Sequence, residues 1–330
     1  MIDYIIISKV ISDSEYQYLQ KTLCRPQRNG VLADYTCKPF GFHSITLWRF
    51  SSGKGQKVGT INANIQADSN FLNNDTLDVP AVIKTLDVIL QKYSLMDDIW
   101  RIAGMGITVN IPVGYPDLYM DFIRRSTPSP NYKMSHTQKW DMGGLPESIV
   151  EELSLSDEER ISMGGTKVEK FENKTVTLLF YPADDSICMK IRLKSDAFEN
   201  LMDKRNLSSY AGKTEDLVEY FIRKNIEIVT GTGDYYTISA AEDKIRSLPD
   251  ISRKEKDKYL EALKGIQKYK SVDAFLCHAG NGEVKGIKNR RTAERCLQDI
   301  DIHGINTVCM SVRKAPADVV MVENLGKHMF

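Results

Sequence analysis

The feature that most restricts this chain is the order in which strand-like and helix-like hydrophobic patterns alternate over residues 1–125. Residues 4–11 are a β-branched run, read as a strand. Ser12-Asp13-Ser14-Glu15 has capping-box spacing and predicts a short helix running toward Leu23. Ile45–Phe50, the glycine loop Ser51-Ser52-Gly53-Lys54-Gly55 and Val58–Ile65, with Ile61, Ala63 and Ile65 on one face, predict a hairpin. Val79, Val82, Ile83, Leu86, Ile89 and Leu90 fall at helical spacing, an amphipathic helix. Ile107–Val113 is again β-branched and ends at Pro112-Val113-Gly114. The order β-α-β-β-α-β is that of a ferredoxin-like domain, in which two helices cover one face of an antiparallel sheet. Such an order constrains fold more than function.

Downstream, a helix begins at Pro116 and ends in Arg124-Arg125. Residues 126–165 are rich in Ser, Pro, Gly and Met, with a capping box at Ser156-Asp157-Glu158-Glu159, and read as a connecting region with one or two short helices. A second β-rich unit follows, with strands near 166–172, 174–181 and 187–193, helices near 195–204 and 213–224, and a hairpin over 226–239 around Gly231-Thr232-Gly233-Asp234. Ser252-Arg253-Lys254-Glu255 caps a helix carrying Tyr259, Leu260, Leu263 and Ile266, and Lys288–Leu297 reads as a short basic helix. The tail beyond Ala315 has little pattern. The fold class is therefore α+β: a ferredoxin-like unit over 1–125, a connection over 126–165, a second α+β unit over 166–240 and a basic helical region over 241–330.

Composition closes several functional classes. At 42% hydrophobic and 27% charged residues the chain can bury a core, and a disordered chain is excluded. A formal net charge of +0 removes any global pull toward nucleic acid, so binding to a polyanion must rest on local basic faces. Met1-Ile2-Asp3-Tyr4 places an acid where a secretion leader carries positive charge, and no stretch has the roughly 20 apolar residues of a membrane helix. The six cysteines, at 24, 37, 188, 277, 296 and 309, are scattered without Cys-x-x-Cys spacing, which predicts buried free thiols in a reducing cytoplasm and no zinc site. The five histidines are isolated, with no His-hydrophobe-His pair. Gly53-Lys54-Gly55 and Gly231-Thr232-Gly233 match no full phosphate-binding fingerprint and read as turns.

Three constellations remain. Tyr181 ends an apolar strand and is followed by Pro182-Ala183-Asp184-Asp185: it is either a nucleophile beside a carboxylate pair that holds a metal, or the last core residue before a polar turn. A phenol with a pKa near 10 would need a metal to polarise a phosphodiester before it could attack. Met189–Lys194 alternates strictly, placing Lys190, Arg192 and Lys194 on one face, where like charges repel unless an anion or acidic side chains answer them. Lys285, Lys288, Arg290, Arg291 and Arg295 have the charge and length of an element that lies against a DNA backbone or in its major groove. A solvated strand face and an ordinary charge-rich helix are the plain alternatives.

Met1-Ile2-Asp3, Ala67–Leu72 ahead of the long helix, Ile99-Trp100-Arg101-Ile102, the Thr175–Tyr181 strand, Met189–Lys194, and Asn289-Arg290-Arg291-Thr292 followed by Asp299-Ile300-Asp301-Ile302 together give a layout over most of the chain. In this it resembles the gene II/X-type rolling-circle replication initiators of filamentous phages and related plasmids. The resemblance implies a DNA-nicking and rejoining enzyme with Tyr181 as the covalent nucleophile and Mg²⁺ or Mn²⁺ as cofactor. It also implies origin or single-stranded DNA as substrate and replication proteins as partners, with Arg101 and the basic residues above on the DNA. Where the family has Arg-hydrophobe-Asp, this chain has Arg101-Ile102-Ala103, so Asp184 and Asp185 would have to supply the metal site. The alternative is a noncatalytic binding or assembly protein on the same scaffold, with Tyr181 as a packing residue.

Overall fold

A computed structural model describes residues 1–23, 35–37, 41–51, 57–73, 76–89, 100–126, 133–136, 168–198, 207–210, 212–311 and 318–329. In chain order its elements are β1 (Ile2–Ser12), α1 (Asp13–Leu23), β2 (Tyr35–Cys37), β3 (Ser44–Ser51), β4 (Lys57–Gln66), β5 (Leu72–Asn73), β6 (Thr76–Leu77), α2 (Val79–Ile89), β7 (Arg101–Pro112), α3 (Pro116–Arg125), β8 (Lys133–His136), β9 (Glu169–Glu172), β10 (Val176–Ala183) and β11 (Ser186–Lys194). The rest are α4 (Thr214–Thr230), β12 (Tyr235–Tyr236), α5 (Ile238–Ser247), α6 (Arg253–Tyr269), α7 (Val272–Gly280), α8 (Arg290–Ile302) and β13 (Met321–Val322). The fold is mixed α+β around a nine-stranded sheet of order β2-β3-β4-β1-β7-β11-β10-β9-β8, beside two small two-stranded pairs, β12-β13 and β5-β6.

The chain clusters into two compact units: residues 1–108, 174–177 and 190–221, and residues 109–173, 178–189 and 222–330. β7, β10, β11 and α4 contribute residues to both, so these units do not follow the sequence boundaries at 125, 165 and 240. Boundaries read from local pattern are contiguous by construction, whereas long antiparallel strands join segments distant in sequence.

In the first unit β1 pairs antiparallel with β4 and with β7, and β3 pairs with β4. On one face of β1, β3 and β4 the side chains of Ile5, Ile7, Ile45, Leu47, Ile61, Ala63 and Ile65 are fully buried. Each of the isoleucine and leucine burials stabilises by about 1.5–3 kcal/mol relative to exposure. α1 lies on this face: a Cβ added at Gly59 of β4 would stand 2.9 Å from both Ile11 and Tyr16, so only glycine lets the helix settle that close. The predicted capping box at its start is formed, with Glu15 N donating to Ser12 Oγ at 3.3 Å and Ser12 N donating back to the Glu15 carboxylate.

The second unit is built mainly from helices. Arg125 of α3 is buried and donates to Cys309 O at 2.8 Å, Gln267 Oε1 at 3.0 Å and Lys270 O at 3.2 Å, with the Asp121 carboxylate 3.6 Å away. A guanidinium with five donors is suited to this tie between α3, the end of α6 and the 305–310 segment. Nearby, Phe122 and Tyr235 stack at 4.0 Å, and Tyr119 donates to Glu323 O at 2.8 Å, holding the C-terminal segment; burial pushes both phenols well above their ordinary range.

Several sequence expectations are corrected here. The 226–239 hairpin is absent: residues up to Thr230 belong to α4, and Gly231–Gly233 is a loop whose Thr232 N and Gly233 N donate to Asp301 of α8. The helix expected over 195–204 is a 3₁₀ turn at Ser195–Phe198 in its described part. α5 and α7 had no counterpart in the sequence reading, and the patternless tail holds β13 and a 3₁₀ turn over Leu325–His328. Cys188, Cys296 and Cys309 are buried and form no disulfide, but Cys277 is exposed. The capping box at 156–159 and the glycine loop 52–55 lie outside the described residues.

Candidate nucleic-acid interface

β10 and β11 form the hairpin that carries the tyrosine-acid-cation arrangement. Asp184 and Asp185 are its two-residue turn, with Asp184 at φ 46°, and Ser186 Oγ donates to Ala183 O at 2.7 Å. At the far end Lys194 N donates to Thr175 O at 2.8 Å. Both ends fit one register, in which Tyr181 faces Cys188 and Thr177 faces Arg192, and residues facing each other across an antiparallel ladder share a side of the sheet.

Tyr181 is 6% exposed and Cys188 2%. The phenol therefore sits among core side chains, not in an open cleft. Asp184 and Asp185 are both exposed, and among the described residues no group of three or more His, Cys, Asp or Glu side chains converges there or elsewhere. A Mg²⁺ or Mn²⁺ ion held by one or two carboxylates relies on substrate phosphate to complete its shell. The phenol that would attack that phosphate is buried, so Tyr181, Asp184 and Asp185 do not fit the expected metal centre.

The basic row of β11 is uneven. Lys190 is buried at 7% exposure, Lys194 is half-buried and Arg192 is exposed. Alternation correctly put them on one side, but it carries no information about what covers that side. Arg192 lies beside Tyr4 of β1: burial raises the Tyr4 phenol, and the guanidinium opposes that through its charge and a hydrogen bond. Arg101, at the start of β7, is exposed and faces Ser8. Tyr181, Asp184 and Asp185 belong to the second unit, and Arg101, Lys190, Arg192 and Lys194 to the first.

The other basic stretch stands on three helices that contact one another, α6, α7 and α8. α6 starts in a complete Ser252–Glu255 capping box and ends at Lys270 in the left-handed region, which turns the chain into Ser271, the N-cap of α7. Gly265 allows α7 to approach, since a Cβ there would meet the Phe275 ring at 2.6 Å. Asn289 caps α8 by accepting from Thr292 N at 2.9 Å. Ala293, Cys296 and Ile300 bury the inner stripe of α8, and Tyr259 of α6 donates to Asp299 at 3.3 Å; desolvation beside that carboxylate pushes the phenol up to about 12.

Opposite the buried stripe, Arg291, Arg295, Gln298 and Ile302 recur at i, i+4, i+7 and i+11 and are all exposed, Ile302 at 77%. Arg290 is exposed too and pairs with Glu294 at 2.9 Å. Lys285 and Lys288 are exposed on the loop before the helix, and Lys285 also lines a groove of about 330 Å³ along α6 with Lys254, Lys258 and Lys264, where Asp257 and Glu261 balance part of the charge. Between 285 and 295 the chain has five basic residues and one acidic one. Gln298 and Ile302 were not among the sequence candidates because the helix was read as ending at Leu297; continuing the Arg291–Arg295 spacing by one and two turns finds them. No family model, curated protein or solved structure matches the chain.

Proposed function

We propose that this chain is a DNA-binding protein, initiator-like in layout, whose second unit sets α8 against duplex DNA. The observation that carries the reading is the exposed stripe Arg291–Arg295–Gln298–Ile302 on a helix held by α6 and α7, in a chain of zero net charge. Arginine matches guanine O6 and N7, glutamine matches adenine, and an apolar side chain suits the thymine methyl, so the stripe has the side chains of a groove-reading helix. Lys285, Lys288 and Arg290 at its N-terminal end supply phosphate contacts. The first unit is read as ferredoxin-like; the strand order β3-β4-β1-β7, with α1 between β1 and β3 and α2 between β4 and β7, supports this.

Fluorescence anisotropy on labelled duplex DNA across a salt series tests the reading. Log affinity falls by about 0.9 per phosphate contact for each log unit of salt. Arg291→Ala and Arg295→Ala should each weaken binding, and loss of a phosphate contact should flatten that slope by about 1. Binding that ignores salt, or variants indistinguishable from the parent, would remove the proposal.

A second reading keeps the tyrosine-linked strand transfer implied by the initiator resemblance. The burial of Tyr181 favours a packing role for it instead. Single-stranded DNA incubated with Mg²⁺ or Mn²⁺ should then yield no covalent adduct that Tyr181→Phe abolishes; such an adduct would restore the nucleophile.

A further inference from the structure

The first unit's sheet has two unlike faces. The odd-numbered face of β1, β3 and β4 packs against α1, whereas on the even-numbered face Trp48 is 38% exposed, Phe50 49% and Val10 57%. The register fixes who stands beside whom: Trp48, Thr60 and Val10 form one row across β3, β4 and β1, and Thr46, Asn62, Ser8 and Arg101 form the next, reaching β7. An exposed indole and an exposed phenyl two residues apart on one strand give adjacent flat apolar surfaces on the same side of the sheet.

Charge decides what this face accepts. On this side β3, β4 and the Ile6–Ser12 part of β1 place no carboxylate, although acids and bases are equal in number in the chain, 44 of each. Among the described residues, the exposed guanidiniums of Arg101 and Arg192 border the face. A surface for a second protein copy would be more evenly apolar; here Thr46, Thr60, Asn62 and Ser8 intervene as hydrogen-bonding groups between the rings and the cations. Aromatic platforms that stack bases, beside cations that track the backbone, are the two parts of a single-strand site.

We infer that the even face of the first unit binds single-stranded DNA, with bases stacked on Trp48 and Phe50 and the backbone running toward Arg101. The inference rests on reading the chain as a DNA-binding protein, but it assigns a separate surface and a different form of the polymer.

The test uses the full chain with labelled oligothymidine and, in parallel, the labelled duplex. Trp48→Ala should weaken oligothymidine binding about 10-fold, on the scale of one lost stacking contact, and leave duplex binding and the melting temperature unchanged. Trp48→Phe should recover most of the loss. Phe50→Ala should act in the same direction, and, with Trp140 replaced by phenylalanine in both proteins, oligothymidine should quench the parent's tryptophan emission, a signal that Trp48→Phe should diminish; Trp100 is 1% exposed and shielded. Oligothymidine binding without duplex binding would sink the α8 reading and leave this one standing. Duplex binding without oligothymidine binding would do the reverse. A Trp48→Ala variant that dissociates a dimer with oligothymidine affinity intact would assign the face to a second copy and overturn the proposal.

Discussion

Two basic rows of similar sequence density meet opposite fates. Lys190, Arg192 and Lys194 of β11 share one side of a strand, yet Lys190 is buried and Arg192 exposed; Arg290, Arg291 and Arg295 of α8 are all exposed. The difference lies in what each element packs against. α8 buries a narrow stripe of Ala293, Cys296 and Ile300, half-buries the flanks of that stripe and leaves Arg290, Arg291, Arg295, Gln298 and Ile302 to solvent, whereas a strand inside a nine-stranded sheet has neighbours on both edges and faces that other parts of the chain cover to differing depths. Counting charges finds candidates, and the covering layer decides which of them a ligand can reach.

The sharpest way to break this comparison is to exchange a buried cation for an exposed one. Arg125→Ala removes the donor to Cys309 O, Lys270 O and Gln267 and leaves Asp121 with less positive charge beside it. Unfolding by urea should show a loss of about 3–5 kcal/mol, the usual effect of breaking a buried charged network. Arg291→Ala, at an exposed position, should stay within about 0.5 kcal/mol of the parent in the same assay. Equal effects from the two would mean that burial does not separate structural from functional cations in this chain.

How much of this was legible in the sequence follows the same physics. The helices and longer strands of residues 1–125 came through because each has a long hydrophobic period, although β7 starts at Arg101 rather than Ile107 and the short β2, β5 and β6 were not predicted; Ser12–Glu15 and Ser252–Glu255 announced two helix starts through local side-chain chemistry. α5 and α7 were missed because they are short: Thr237 and Ser271 cap them, accepting from Ala240 and Ala274, but a lone N-cap before nine or ten residues carries little signal. Gly231–Gly233 looked like a hairpin turn because glycines mark turns of every kind; its true partner is Asp301, about 70 residues away. For the candidate site, the basic residues of α8 were readable as local charge. The burial of Tyr181 and the openness of Trp48 and Phe50 were not, because both depend on which distant segments cover a sheet face.

The exposed stripe of α8 depends on the helices beneath it, and two smaller changes probe that support. Gly265→Ala pushes a methyl into the Phe275 ring. Overpacking of this kind destabilises by about 1–3 kcal/mol, and better helix propensity returns about 1 kcal/mol, so a net loss of up to about 2 kcal/mol is expected in urea unfolding. Asn289→Ala removes the acceptor for Thr292 N and Thr292 Oγ1 and should lose about 1 kcal/mol. If the stripe reads DNA as a rigid helix, both variants should also weaken duplex binding although neither removes a cation. Duplex affinity that is insensitive to both would point to binding by loose charge alone.

The smallest effect expected is electrostatic and concerns the α6 capping box. Glu255 is held below its ordinary carboxylate value, first by the hydrogen bond from the Ser252 hydroxyl, then by the Ser252 backbone, with smaller help from Lys258 and Arg295. A depressed folded-state value means that the unfolded chain binds more protons in that interval, so stability rises with pH there. The contribution is fully present above the unfolded value of about 4.3 and is lost as pH falls through the lower folded value. Glu283, lowered chiefly by its bond with His278, acts in the same direction, so it must be replaced by glutamine in both parent and test protein. In that background Glu255→Gln should flatten the acid limb of a urea-midpoint series by lowering the midpoint slightly at neutral pH and leaving it nearly unchanged in acid, where the parent's carboxyl is protonated as well. Arg295→Ala should flatten it far less, since its charge is the last of the influences on Glu255. An Arg295 effect as large as that of Glu255→Gln would mean that the exposed cations of α8 are tied to the stability of α6, and the separation between structural and ligand-facing charge would fail on the helix where it is clearest.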